Sequence, residues 1–225
     1  DLLAYDPRSS GNETNDMLIH FLYRGILSYD LKSRKIVEDL GNCWIDQFPN
    51  FRCTLNANAL WHDGSPIEIE DVLATYDFYT TSAKNPGFQS RLEKLQVYED
   101  TGEIVFEFAT SDITTLNLLF LPILKKEDIG QFEEQYAFSQ NAFSGAYVFE
   151  DRRFDEQMWV TQILLSRNPI YGDIKDTYIQ HIVLSFFTDA ESLRQNEWRL
   201  HVSLYGENMV EDVDQSGAYR YQRPQ

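Results

Sequence analysis

Between residues 51 and 80 the chain changes its hydrophobic period across one short connection. Phe51-Arg52-Cys53-Thr54-Leu55-Asn56 alternates as a strand does. Asp63-Gly64 and Ser65-Pro66 then supply turn chemistry. A helix is expected from about Glu68, with Val72, Leu73, Tyr76 and Tyr79 or Thr80 facing inward. Glu68, Glu70 and Asp71 at its start suit the positive end of the helix dipole. A metal reading of that acidic cluster is the weaker one.

The rest of the chain interleaves in the same way. Met17, Leu18, Phe21, Leu22 and Ile26 follow helical spacing from Asn15 to Ile26, with Asn12, Thr14 or Asn15 as caps and Gly25 as the end. Ile26–Asp30 and Lys35–Val37 predict a short hairpin. Gln96–Tyr98 and Glu103–Phe108 predict a clearer one, joined by Glu99-Asp100-Thr101-Gly102 with glycine where a turn needs positive φ. Helical segments are expected at Ile113–Leu121, before Pro122, and at Glu127–Tyr136. Strands follow at Ala146–Glu150, Met158–Ser166 and Ile179–Phe187, then a helix at Ala190–Gln195 and a strand near Leu200–Leu204. The class is therefore mixed α/β (α+β). A chain of 225 residues holds one large domain or two small ones, with a core that needs no metal or disulfide staple.

Charge and termini narrow the partners. Nineteen Lys+Arg against 36 Asp+Glu leaves −17, which repels nucleic acid and an anionic membrane surface. The longest apolar stretch, Leu116–Leu124, is interrupted by Asn117 and Pro122 and is far short of the about 20 residues a membrane span takes. The chain opens on Asp1 without a signal-peptide pattern, so either a removed export segment or an excised piece fits. Cys43 and Cys53 flank a turn-forming stretch around Pro49-Asn50. Two readings stand: a disulfide in an oxidising compartment, contributing about 2–3 kcal/mol, or two small buried thiols.

No reaction chemistry emerges. His20, His62, His181 and His201 never fall at metal-ligand spacing, and there is no nucleophile elbow, phosphate-binding loop or dinucleotide fingerprint. Asn12-Glu13-Thr14 matches a glycosylation sequon, a weak motif. Carboxylate pairs are numerous, as 36 acids make them by chance. No catalytic residue, enzyme activity, metal or cofactor is expected.

Five segments, taken in order, do resemble a known family. Leu22-Tyr23-Arg24-Gly25-Ile26-Leu27-Ser28-Tyr29-Asp30 with Lys35–Leu40 is similar to the opening motif of family 5 extracellular solute-binding proteins, the peptide receptors of ABC importers. Phe51–Thr75, containing Leu60-Trp61-His62-Asp63-Gly64-Ser65-Pro66 and Asp71-Val72, resembles that family's most diagnostic stretch. Ser144-Gly145-Ala146-Tyr147-Val148-Phe149, then Arg167-Asn168-Pro169-Ile170-Tyr171, then Ile179–Asp189 complete the series. The departures are Glu68-Ile69 for the usual Thr-Ala, Asn56 for a basic residue, and Phe143 and Ala146 for glycine and proline.

The resemblance implies the first lobe of a type 2 periplasmic-binding-protein fold, a two-lobe clamp with a mixed sheet flanked by helices. On that reading residues 1–43 begin the lobe core and 44–142 form an inserted subdomain. Residues 143–206 complete the core, and 207–225 approach a hinge to a second lobe that lies outside the chain. It further implies ligand contacts from Ser9, Ser10, Gly11 and Asn12, with Ser144, Gly145 and Tyr147 as a second group. Trp44 and Trp61 are expected in the core rather than as ligand platforms. The implied partners are a peptide or other small solute and the transmembrane subunits of an ABC permease, with no nucleic acid. Any membrane attachment would come from an anchor outside this chain, and the implied location is periplasmic or cell-surface. Alternatives are a nickel complex, haem or oligosaccharide as ligand, or a non-transport surface scaffold.

Overall fold

A computed structural model describes residues 13–82, 90–109, 113–133, 142–157, 159–171, 179–187 and 191. Helix α1 (Glu13–Leu22) leads into the hairpin β1 (Leu27–Asp30) and β2 (Lys35–Glu38). Its turn is organised by Asp30, whose two carboxylate oxygens accept the Lys32 and Ser33 N–H groups. Strands β3 (Gly41–Ile45) and β4 (Phe51–Leu55) follow, then helix α2 (Ile69–Ser82), then β5 (Leu95–Asp100) and β6 (Glu103–Phe108). Two 3-10 segments, Ile113–Phe120 and Lys126–Glu133, precede β7 (Tyr147–Phe154), β8 (Val160–Arg167) and β9 (His181–Ser185).

The strands form three antiparallel sheets, ordered β1-β2, β3-β4-β6-β5 and β7-β8-β9. One core joins them. Leu18 and Leu22 from α1, Trp61, Tyr76 and Tyr79 around α2, Ile104 and Phe106 from β6, and Ile163 and Leu165 from β8 all belong to it. The expected boundary at 43/44 falls inside β3. Cys43 and Cys53 sit opposite each other across β3 and β4 and are disulfide-bonded, with Cα atoms 4.1 Å apart.

Most expected elements are present, with instructive shifts. Helix α1 ends at Leu22, not Gly25, because the Leu22 carbonyl accepts N–H groups of both Ser144 and Gly145. Gly25 lies against the backbone of Phe120 instead, where a Cβ would come within 2.9 Å. On α2 the buried set includes Val72, Thr75, Tyr76, Phe78 and Tyr79, while Leu73 is only partly covered. Thr75 is inside because its hydroxyl accepts the Leu124 N–H at 2.9 Å. Tyr76 and Tyr79 donate to the carbonyls of Leu118 and Pro122, so this face of α2 satisfies polar groups as well as burying area. The expected helices at 113–121 and 127–136 are 3-10 turns over their described parts. The expected helix at 190–195, apart from Glu191, and the strand near 200–204 lie outside the described residues. Trp61 is fully buried as expected, whereas Trp44 is 41% exposed, because its strand turns it to the outer face of the four-stranded sheet.

Candidate functional site

The segment Ala142–Tyr147 is where the diagnostic stretches meet. Its backbone has too few local partners for regular structure until β7 begins, so its polar groups are satisfied by distant chain. The Ala142 N–H donates to Asp128 Oδ2 at 2.6 Å. Phe143 exchanges two bonds with His62: its N–H donates to the imidazole Nδ1 at 3.0 Å, and its carbonyl accepts the His62 N–H at 2.7 Å. The Arg24 N–H donates to Ser144 Oγ at 3.1 Å. Asn168 closes the ring, donating from Nδ2 to the Gly145 carbonyl at 2.8 Å and from its backbone N–H to the Ala146 carbonyl at 2.9 Å.

Gly145 has a steric reason to be glycine. A Cβ there would stand 2.3 Å from the Phe21 carbonyl oxygen and 2.6 Å from the Leu22 carbonyl carbon. The close approach is what lets the Ser144 and Gly145 N–H groups reach the end of α1. Tyr147, on the first residue of β7, stacks edge-on against Phe21 at 5.6 Å and donates its hydroxyl to the Ile179 carbonyl. Burial pushes the Tyr147 phenol up from its ordinary value, with Arg167 working against it.

Charged groups frame this clasp. Arg24 donates from Nε to Asp39 Oδ1 at 2.6 Å and lies over the Tyr171 ring at 5.3 Å, tying the first segment to the Asn168-Pro169 loop. Burial raises the Asp39 carboxyl in spite of Arg24. Asp63, in the Trp61–Ser65 turn, meets Lys125 Nζ at 2.8 Å and accepts from Ser65. Desolvation pushes it upward, but the bonds from Lys125 and Ser65 win and hold it well below the ordinary carboxylate range. Asp128 goes the other way: burial raises it, against the Ala142 N–H and Lys125.

Of the sequence-predicted ligand residues, Ser144, Gly145 and Tyr147 are thus brought together at the C-terminal end of α1. Ser9, Ser10, Gly11 and Asn12 lie outside the described residues, immediately before Glu13. Nine helical rises of 1.5 Å separate Glu13 from Leu22, so Ser144, Gly145 and Tyr147 stand about 14 Å along α1 from its first residue. Two concavities lie among the described residues, neither of them deep and enclosed. One of about 50 Å³ lies between Asp151, Arg153, Gln162, Leu164 and Val183, and a shallow one of about 310 Å³ runs along Glu70, Leu73, Ala74, Asp77 and Lys126. Among the described residues no group of three His, Cys, Asp or Glu side chains is placed to hold a metal ion. The sequence reading passed over three residues that organise the site: Arg24, His62 and Asn168. All three stand inside the recognised motifs, but their partners are 81 or more residues away or in another segment.

The model of the bacterial extracellular solute-binding proteins, family 5, matches residues 46–197. A protein of Brucella melitensis named as a binding protein is 32% identical over 108 residues, which are 46% of this chain and 16% of that protein. The oligopeptide-binding protein AppA of Bacillus subtilis, solved with a nonapeptide, superposes with a TM-score of 0.69 at 19% identity, over 84% of this chain and 39% of its own. NikZ of Campylobacter jejuni, solved with Ni(L-His), gives 0.69 at 15% identity, over 88% and 40%. The chain therefore spans well under half the length of these relatives, and the two structural likenesses establish a shared type 2 periplasmic-binding-protein fold.

Proposed function

This chain belongs to the bacterial extracellular solute-binding proteins of family 5, and from that premise we propose that it is part of a peptide receptor for an ABC importer. The observation that carries the reading is the family match, whose residues 46–197 are 152 of the 225. The family is one of solute-binding proteins rather than enzymes, in keeping with a sequence that offers no catalytic constellation. The fold shared with AppA, solved with a nonapeptide, supports peptide as the solute class.

In this reading the chain builds one lobe, with 1–43 and 143–206 assigned to its core, 44–142 to an insertion and 207–225 to the approach to a hinge. The ligand lies between this lobe and a second one. Closure excludes water and strengthens the polar contacts that hold an extended main chain. Ser9, Ser10, Gly11 and Asn12 contact the ligand before α1: Gly11 permits close approach, and Ser10 and Asn12 donate and accept. Ser144, Gly145 and Tyr147, the second group, are buried against the end of α1, so they act from behind the first group rather than from the lobe surface. Ser144 Oγ accepts the Arg24 N–H and keeps a proton to donate. Tyr147 and Gly145 hold α1 in place behind the first group. The location is extracytoplasmic, as supported by the family's description and by the cross-strand disulfide. Among the described residues no helix is long and apolar enough to cross a membrane.

The test is a peptide library screened against the full-length protein by thermal shift. A rise in Tm with peptides, reduced by Ser10→Ala with Asn12→Ala, is expected. No shift with any peptide, and a shift with nickel–histidine instead, would move the assignment to the alternative ligand class that the likeness to NikZ suggests.

A further inference from the structure

The outer face of the four-stranded sheet carries two exposed aromatic rings. Trp44 pairs with Arg52, Arg52 with Val105, and Val105 with Tyr98, so these four side chains form one row across β3, β4, β6 and β5. Residues directly opposite in antiparallel strands share a face. The other face of the same strands carries Cys53, Ile104 and Phe106, all fully buried in the core. On the outer row Val105 is only 4% exposed, while Trp44 and Tyr98 are 41% and 42% exposed. Strands lie about 4.8 Å apart, which puts the Trp44 and Tyr98 backbones about 14 Å apart at the ends of the row.

Charge says what kind of surface fits. Arg52 is immobilised by three carboxylates: Nε on Asp46 at 3.1 Å, Nη2 on Asp100 at 2.9 Å and Nη1 on Glu103 at 3.0 Å. Each spends one oxygen on the arginine. Glu107 sits beside Tyr98, whose hydroxyl points to it at 3.5 Å. Two exposed aromatic faces thus stand among four acids, with Arg52 already neutralised and Lys94 at the near end of β5. Aromatic faces attract lysine and arginine cations, and carboxylates at their margins pair with the same groups. Trp, Tyr and Arg are also the residues that most often dominate docking energetics when they are held rigid. A second copy of this chain would bring its own −17 to the contact, and nucleic acid or an anionic membrane would be repelled.

We propose that the Trp44–Arg52–Val105–Tyr98 row is a docking face for a basic protein surface, with lysine or arginine side chains lying over Trp44 and Tyr98. The face points away from the core and uses none of the predicted ligand residues, so it stands or falls apart from the peptide reading.

The test uses the full-length protein and an alternating Lys–Ala dodecapeptide as the cationic probe, titrated by calorimetry at low and moderate salt. Trp44→Ala and Tyr98→Ala are each expected to weaken binding about threefold to fivefold. Glu107→Lys should weaken it as well, while Glu156→Gln, in the distant β7–β8 turn, should leave it unchanged. Glu107→Lys keeps both rings and serves if an aromatic variant fails to fold. Equal losses in the Glu156 and Trp44 variants would mean diffuse attraction to an acidic protein and overturn the proposal. So would absence of binding, as when the rest of the polypeptide covers the face, and so would binding that none of these variants changes, which would place the probe in the proposed peptide cleft. Trp44-dependent binding of an N-acetylglucosamine oligomer in place of the peptide would overturn it in favour of a saccharide surface.

Discussion

Asn168 donates to the carbonyl of Gly145 at 2.8 Å while buried to 2% exposure, and so locks the loop after β8 onto the segment that grips the end of α1. Its Oδ1 accepts the Ile170 N–H at 3.1 Å, turning the chain at Pro169. One side chain therefore joins two segments 23 residues apart and shapes its own turn.

Replacing it tests that arrangement. Asn168→Leu keeps the approximate size but strands the Gly145 carbonyl and the Ile170 N–H. A loss of about 2–4 kcal/mol is expected, read as a lower urea midpoint at unchanged m-value. A loss below about 0.5 kcal/mol would show that water replaces both bonds.

Gly145→Ala should be worse tolerated than an ordinary loop substitution. The new methyl group meets backbone atoms of Phe21 and Leu22, which cannot swing aside as a side chain could. A cost of about 3 kcal/mol is expected, with Ser144 and Gly145 losing their bonds to Leu22. Amide exchange at residues 144 and 145, rising in the variant, would localise the effect.

Trp61 is fully buried and directs its indole N–H at Asp71 Oδ2, 3.3 Å away. Asp71 also accepts the Glu68 N–H across the start of α2 and the Lys126 N–H. Trp61→Phe removes one of three donors and a ring's width of packing, for about 1–3 kcal/mol in thermal unfolding. Asp71→Ala leaves all three donors without their acceptor and should cost more than Trp61→Phe. The reverse order would mean that packing, not the cap, dominates.

Reduction of the Cys43–Cys53 bridge, or the double change to serine, releases a loop of sequence separation 10. The expected loss is about 2–3 kcal/mol, measured as a lower Tm under dithiothreitol. An unchanged Tm would place the stability of the β3–β4 pair in the sheet alone.

The Asp63 carboxyl is held below its ordinary value by Lys125 and Ser65, against desolvation. Its contribution to stability is thus present above about pH 4 and is lost as the pH falls below that. Asp63→Asn should flatten the decline in urea midpoint as the pH falls from about 4 toward about 2. Asp39 and Asp128, raised by burial, act in the opposite sense, since their ionised forms are penalised as the pH rises. A variant with the same acid slope as the parent would remove Asp63 from the account.

What the sequence by itself determined was everything that depends on near neighbours. The β5–β6 hairpin is legible because Gly102 supplies a positive φ in its turn, although Thr101 takes one too, which its residue type does not announce. Strand β4 shows its alternation, and α2 begins where acidic side chains meet free N–H groups. The family resemblance was legible for the same reason, as each motif is a run of adjacent residues. Only the tertiary structure decided where those runs are spent. Helix α1 stops at Leu22 because chain more than 120 residues later takes its carbonyl. Thr75 outranks Leu73 in the core because a distant loop needs its hydroxyl. Trp44 faces outward because the register of β3 on β4 turns Cys43, not its neighbour, toward the core. Periodicity records which face a residue shares with its neighbours, but a hydrogen bond to a residue a hundred positions away leaves no mark in it. The bonds that hold the end of α1, from Ser144 and Gly145 to Leu22 and from Arg24 to Ser144, are all of that kind.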